Sequence, residues 1–207
     1  TFYDAGHILG SALCALDIAE KGRAYRLLFT GDLGRADMPI LGDPQPVPGV
    51  DYLITESTYG VRTHETVQEA EAHLQRVIRK AYARGGKVII PAFSVGRTQE
   101  IVYALHRLSQ AGEIPQLPIY VDSPLAINAT EVFRLHPEYY DRETLEFMLE
   151  YEDAFGFDHL HYIRWVEDSK ALNERTDPMV IISASGMCEA GRILHHLKNN
   201  IEQERNI

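Results

Sequence analysis

The chain has 207 residues, 20 Lys and Arg against 30 Asp and Glu, 45% hydrophobic and 9% aromatic residues, and two cysteines, Cys14 and Cys188. These proportions exclude a disordered, collagen-like or disulfide-stapled chain, and they leave metal chemistry to His and carboxylates in a reducing compartment. The net charge of −10 speaks against coating nucleic acid by bulk charge but not against a local groove, and no apolar run reaches the roughly 18 residues of a membrane span.

Thr1–Asp4 is extended, Gly6–Gly10 forms a loop, and Ala12–Ala19 alternates with Cys14, Leu16 and Ile18 on one side. Glu20–Arg23 reads as a hairpin turn, and Tyr25–Thr30 returns antiparallel to stop at Gly31-Asp32-Leu33-Gly34. Pro39, Pro44, Pro46 and Pro48 make the next stretch a surface loop, and Asp51–Thr55 is a strand ending at Glu56. Near residue 60 the period changes from two to about 3.6. Thr66 and Glu69 predict a capping box, Val67 to Ala81 a helix, and Gly85-Gly86 its end. Strand Lys87–Pro91, a helix from Thr98, strand Pro118–Val121, a helix opened by Ser123-Pro124, strand Met179–Ile182 and helix Gly191–Leu197 follow. Residues 137–176 carry only weak periodicity. Alternating strands and helices predict a parallel, doubly wound sheet, so the chain reads as a β-rich part, 1–60, and an α/β part, 61–207.

His7, Asp32 and Glu56 each stand directly after a strand, where a rigid sheet fixes the backbone and the loop frees the side chain. Glycine neighbours let an ion approach His7 and Asp32 closely, although Asp32 reads equally as a turn residue and Glu56 as a cap. In the second part, Ser94 to Arg97, Asp122 to Pro124, and Ser183 to Met187 all follow parallel strands. They share the carboxyl edge, where open α/β folds bind ligands, and each leads into a helix amino terminus suited to phosphate. Ser94, Arg97, Ser185, Gly186, Met187 and Arg192 are the candidate substrate contacts, against the plainer reading that Ser and Gly are good caps and turn residues. His159-x-His161 reads as a solvated or structural pair. His64, His73, His106 and His136 read as exposed, and Trp165 with Tyr139-Tyr140 as packing residues. Of His195 and His196, at most one faces a cleft with Arg192.

Asp4-Ala5-Gly6-His7-Ile8-Leu9-Gly10-Ser11-Ala12, Thr30-Gly31-Asp32-Leu33-Gly34 and Glu56-Ser57-Thr58-Tyr59-Gly60, in that order, resemble the β-CASP branch of the metallo-β-lactamase superfamily. Pro91–Glu100, Val121–Ala126 and Ser183–Leu197 look like its inserted cap domain. The likeness is greatest to prokaryotic ribonucleases akin to the endonuclease subunit of the eukaryotic pre-mRNA 3′-end cleavage complex. It implies an α/β fold: residues 1–60 as part of a metallo-β-lactamase αββα sandwich and 61–207 as a Rossmann-like β-CASP cap.

The resemblance further implies two zinc ions, with His7 a ligand of one and Asp32 the carboxylate bridging both, and Glu56 orienting a histidine near the leaving group. A hydroxide shared by the metals would attack phosphorus in line. RNA, single-stranded and held between the two domains, is the expected substrate, in the cytoplasm, with no membrane partner; a homodimer is compatible. The family's His-x-His-x-Asp-His signature is expected upstream of Thr1 and further histidine motifs downstream of Ile207, which makes this stretch the middle of a longer polypeptide, inactive by itself. The alternatives are a non-catalytic scaffold subunit, a DNA nuclease, or a small-molecule hydrolase of the same superfamily.

Overall fold

Lys21 and Gly22 both take positive φ, 51° and 76°, which a two-residue turn needs if it is to join strands of right-handed twist. They close the hairpin between β2 (Ala12–Glu20) and β3 (Arg23–Phe29), with Glu20 opposite Arg23. In this computed structural model, which describes residues 1–207, β1 (Phe2–Asp4) adds antiparallel to β2, and β4 (Tyr52–Ile54) adds parallel to β3. The sheet order is β1-β2-β3-β4.

One face of this sheet carries a buried cluster. Ala5, Leu13, Ala15 and Leu28 are buried there, packed by Tyr3 and by Val47 and Val50 from the proline-bearing segment. The predicted alternation of Cys14 and Leu16 falls on the other face. Pairing sets Phe2 and Cys14 beside Phe29 and Ile54, and Leu16 beside Leu27 and Tyr52, so every one of these positions is apolar. Phe2, Leu16, Phe29, Tyr52 and Ile54 on that face are exposed.

Contacts divide the chain into two units: Thr1–Glu65 with His136–Glu146, and Thr66–Leu135 with Phe147–Ile207. The return segment joins the first unit through backbone pairing, the Asp141 and Gly42 N–H groups donating to Ile40 and Tyr139 carbonyls.

The second unit holds an all-parallel sheet of order β5-β8-β6-β7, built from β5 (Lys87–Pro91), β6 (Ile119–Asp122), β7 (Leu160–Tyr162) and β8 (Met179–Ser183). Continuous apolar strand sequences are what a sheet covered on both faces requires, and every residue of β6 and β8 is buried. Helices α1 (Val67–Ala83), α2 (Arg97–Gln110) and α3 (Pro124–Leu135) pack successively on one another and on β5 and β6. Helices α5 (Val166–Glu174) and α6 (Ile193–Asn200) pack together, and Leu172 of α5 covers Tyr120, Met179 and Ile181. The capping box at Thr66 and Glu69 forms as the spacing predicts.

The weakly periodic stretch resolves into α4 (Arg142–Tyr151), β7 and α5. Three readings need correction. His106 is buried, because Phe147, Tyr151 and Phe157 enclose its ring and the Ala154 carbonyl meets its Nδ1 at 3.1 Å. Trp165 stands free of the core at 70% exposure, because it occupies the N-cap of α5. Of the tyrosine pair, Tyr140 is buried and Tyr139 is exposed.

Two further features secure the sheet's edges. Lys87 is buried at the start of β5, and its Nζ donates to the Leu172 carbonyl at 2.9 Å near the end of α5, an end that carries unpaired carbonyls. The backbone of Ile207 exchanges two 2.9 Å hydrogen bonds with Lys87 and Ile89 along the outer edge of β5. No helix is long and apolar enough to cross a membrane.

Candidate active site and nucleic-acid edge

In the first unit the structure brings His7, Asp32 and Glu56 to neighbouring loops at one end of the sheet. The Gly6–Gly10 loop is fixed by Ser11, whose Oγ accepts the N–H groups of His7 at 3.2 Å and Ile8 at 3.3 Å. Gly6 takes φ +61°. Gly34 lies flat against it: a methyl group at position 34 would overlap the Gly6 carbonyl oxygen, and the Gly34 N–H donates to the Ala5 carbonyl at 2.8 Å. The glycines of Gly-His-x-x-Gly and Asp-x-Gly therefore allow the His7 and Asp32 loops to touch at backbone distance.

Glu56 closes the set from the third strand end. Its Oε1 accepts the Leu33 N–H at 2.9 Å, one residue from Asp32, and below it the Thr30 and Thr55 hydroxyls meet at 3.2 Å. Hydrogen bonding from the Thr58 hydroxyl, then from the Leu33 N–H, holds the Glu56 carboxyl below the usual carboxylate range, and the charge of nearby His7 acts in the same sense. His7, Asp32 and Glu56 are all exposed, and the His7 ring and the Asp32 carboxylate make no hydrogen bond within the chain.

One imidazole and one uncommitted carboxylate are suitable donors for a metal such as zinc. No group of three or more His, Cys, Asp or Glu gathers as a metal site. A cavity of about 220 Å³ lies behind the loop, lined by Asp4, Ser11, Asp43 and Glu138 among others, but none of the three candidate residues faces it.

In the second unit the three predicted loops do share the carboxyl edge. Ser94 Oγ lies 3.1 Å from Ser123 Oγ, and Ser123 also caps α3 by accepting the Ala126 N–H. Gly186 packs against Phe93, whose Cδ2 lies 3.0 Å from where a β-carbon would stand. Met187 is exposed; Arg97 is exposed but pairs with Glu100 at 2.7 Å.

Arg192 is occupied. Its Nη1 donates to Asp122 Oδ1 at 2.6 Å and to the Ile163 carbonyl, and its Nη2 donates to the Arg164 carbonyl at 2.8 Å. Asp122 is fully buried at the end of β6, where its Oδ2 also accepts Ser169 Oγ at 2.5 Å and faces His196 Nε2 at 2.7 Å. Burial pushes the Asp122 carboxyl up, but the bonds from His196, Ser169 and Arg192 outweigh it and hold the group below its ordinary range. This network escapes sequence reading because its members are 47 to 74 residues from Asp122. The only local hint is a carboxylate closing an apolar strand.

The Beta-Casp domain family model matches residues 98–207, which is more than half of the chain. The chain belongs to the β-CASP family. Among β-CASP relatives, the Thermus thermophilus protein named Ribonuclease TTHA0252 is 37% identical over 205 residues, covering 99% of this chain and 46% of its own length. Transcription termination factor FttA of Methanosarcina mazei is 33% identical over 211 residues, covering 100% of this chain and 32% of its own. Cleavage and polyadenylation specificity factor subunit 3 of Dictyostelium discoideum is 34% identical over 194 residues, covering 92% and 24%. The chain spans less than half the length of each of these three relatives.

Proposed function

We propose that this β-CASP chain serves in a zinc-dependent ribonuclease, in which His7 and Asp32 would be metal ligands and Glu56 would orient a histidine near the leaving group. Residues 1–60 would belong to the metallo-β-lactamase part and 61–207 to the cap. The observation that carries the reading is the junction of three loops, in which Gly34 lies on Gly6 and Glu56 holds the Leu33 N–H, so that the loops bearing His7 and Asp32 meet at the backbone. Bound zinc would supply an activated water and positive charge for phosphoryl oxygens. The chain's own part is to hold the donors: Ser11 fixes the histidine loop, and Glu56 fixes the aspartate loop while keeping its negative charge.

RNA is the substrate class favoured by the names of three relatives, a ribonuclease, a transcription termination factor and a cleavage and polyadenylation factor. Ser94, Arg97 and Ser185 to Met187 would meet the RNA strand, while Arg192 shapes the edge from within. Cleavage of single-stranded RNA by the full-length natural protein, with and without chelator and in Asp32→Ala, tests the reading. Chelation and the substitution should each abolish cleavage, and activity that survives both overturns it.

A further inference from the structure

Each of the four parallel strands delivers at least one large, exposed apolar side chain to the carboxyl edge. In sheet order these are Phe93 after β5, Met187 after β8, Leu125 after β6 and Trp165 after β7, with exposures of 54%, 65%, 62% and 70%. Soluble surfaces carry such residues singly; a row along one edge marks a binding surface.

The row is exposed, but its backbone is fixed. Phe93 rests on Gly186, where a β-carbon would press on both its ring and its backbone nitrogen. Arg192, anchored on buried Asp122, grips the Ile163 and Arg164 carbonyls just before Trp165, and the Trp165 carbonyl accepts the Ser169 N–H. Strand spacing of ~4.8 Å puts the outer strands β5 and β7 ~14 Å apart, the length of roughly two to four nucleotides.

Two guanidinium groups belong to the outer loops of this edge, Arg97, which pairs with Glu100 at 2.7 Å, and Arg164, which donates to Asn128 at 3.1 Å, and Ser94 and Ser185 add hydroxyls. Glu167 and Asp168 fill the first turn of α5, which repels phosphate from the helix end beside Trp165 and leaves that ring for a neutral, flat group. Aromatic faces, apolar spacers and flanking guanidinium groups on an edge a few nucleotides long are the components of a single-strand stacking platform.

We infer that this edge is a base-stacking platform for single-stranded RNA, with Phe93 and Trp165 each taking a base and Met187 and Leu125 forming the apolar floor between them. The inference rests on the RNA reading above and adds where the strand lies. The test measures binding of a fluorescent, unstructured RNA oligonucleotide to the full-length protein under chelation, so that affinity is read without cleavage. Phe93→Ala and Trp165→Ala should each weaken binding about tenfold, and Trp165→Phe about two- to threefold. Trp165 is the only tryptophan of the chain, so RNA should quench an emission component that Trp165→Phe removes. Because both side chains are exposed, unchanged circular dichroism should accompany each variant.

Wild-type affinity in both alanine variants, with chelator-sensitive cleavage intact, overturns the platform and leaves the ribonuclease reading standing. Absence of both RNA binding and cleavage in the wild type overturns both. Self-association that Trp165→Ala abolishes while RNA affinity stays unchanged also overturns the platform, because it assigns the row to a second copy.

Discussion

Nε2 of His196 lies 2.7 Å from Oδ2 of Asp122, and both side chains are fully buried. The same carboxylate receives Ser169 and Arg192, so one acid at the end of β6 ties α5, α6 and the approach to Trp165 together. Removing one partner of a buried charge pair leaves the others uncompensated, at about 3–5 kcal/mol. Asp122→Ala should therefore lose stability on that scale in urea unfolding, and more than Ser169→Ala.

Acid should act on the same group. The Asp122 carboxyl lies below its ordinary range in the folded chain, so its contribution is present above the unfolded value of about 4 and disappears as pH falls through the folded value. The melting temperature of the wild type should decline more steeply below about pH 4 than that of Asp122→Asn. Equal slopes would remove this carboxylate from the acid response.

His106 titrates in another window. Its enclosure by Phe147, Tyr151 and Phe157 pushes the imidazole below its ordinary value, chiefly through burial. A depressed base contributes fully above the unfolded value of about 6.5 and loses its contribution as pH falls from there toward the folded value. Between pH 7.5 and 5.5 the wild type should therefore lose more stability than His106→Gln, measured as the difference in melting temperature at each pH.

Gly34→Ala addresses the proposed metal loops. Its methyl group would overlap backbone, not a flexible side chain, so the loops carrying His7 and Asp32 must separate. Overpacking of this kind costs about 1–3 kcal/mol. Zinc affinity of the full-length protein, read by calorimetry, should fall more than tenfold, whereas Gly10→Ala, with open space around it, tests the effect of positive φ alone.

Glu56→Gln keeps an oxygen for the Leu33 N–H but removes the charge. In the proposed ribonuclease kcat should fall at least tenfold with KM and melting temperature nearly unchanged. Glu56→Ala, which also frees the Leu33 N–H, should lower both kcat and zinc affinity.

Features encoded within a few residues were legible in the sequence: the Thr66–Glu69 capping box, the Lys21-Gly22 turn, the Ser123 cap and the strand Lys87–Pro91. So were His7, Asp32 and Glu56 as strand-end residues. Their convergence was implied by the family resemblance alone and not by spacing, because it depends on Gly34 meeting Gly6 and on a Leu33 backbone donor reaching Glu56 across 23 residues. His106 looked exposed because the aromatic residues that bury it come from α4 and the loop after it. Trp165 looked like a core residue because large aromatics usually are. Periodicity failed in 137–176, where short elements each bury few residues and leave no long stripe to read.

The sheet order also sets the timing of folding. β8 lies between β5 and β6, although it is the last strand to be made. At ~5–20 residues per second of synthesis, β5 and β6 would wait roughly 3 to 20 seconds for their shared neighbour. During that interval their apolar strands have unsatisfied edges, which leaves the emerging chain open to edge-to-edge aggregation until residue 183 appears.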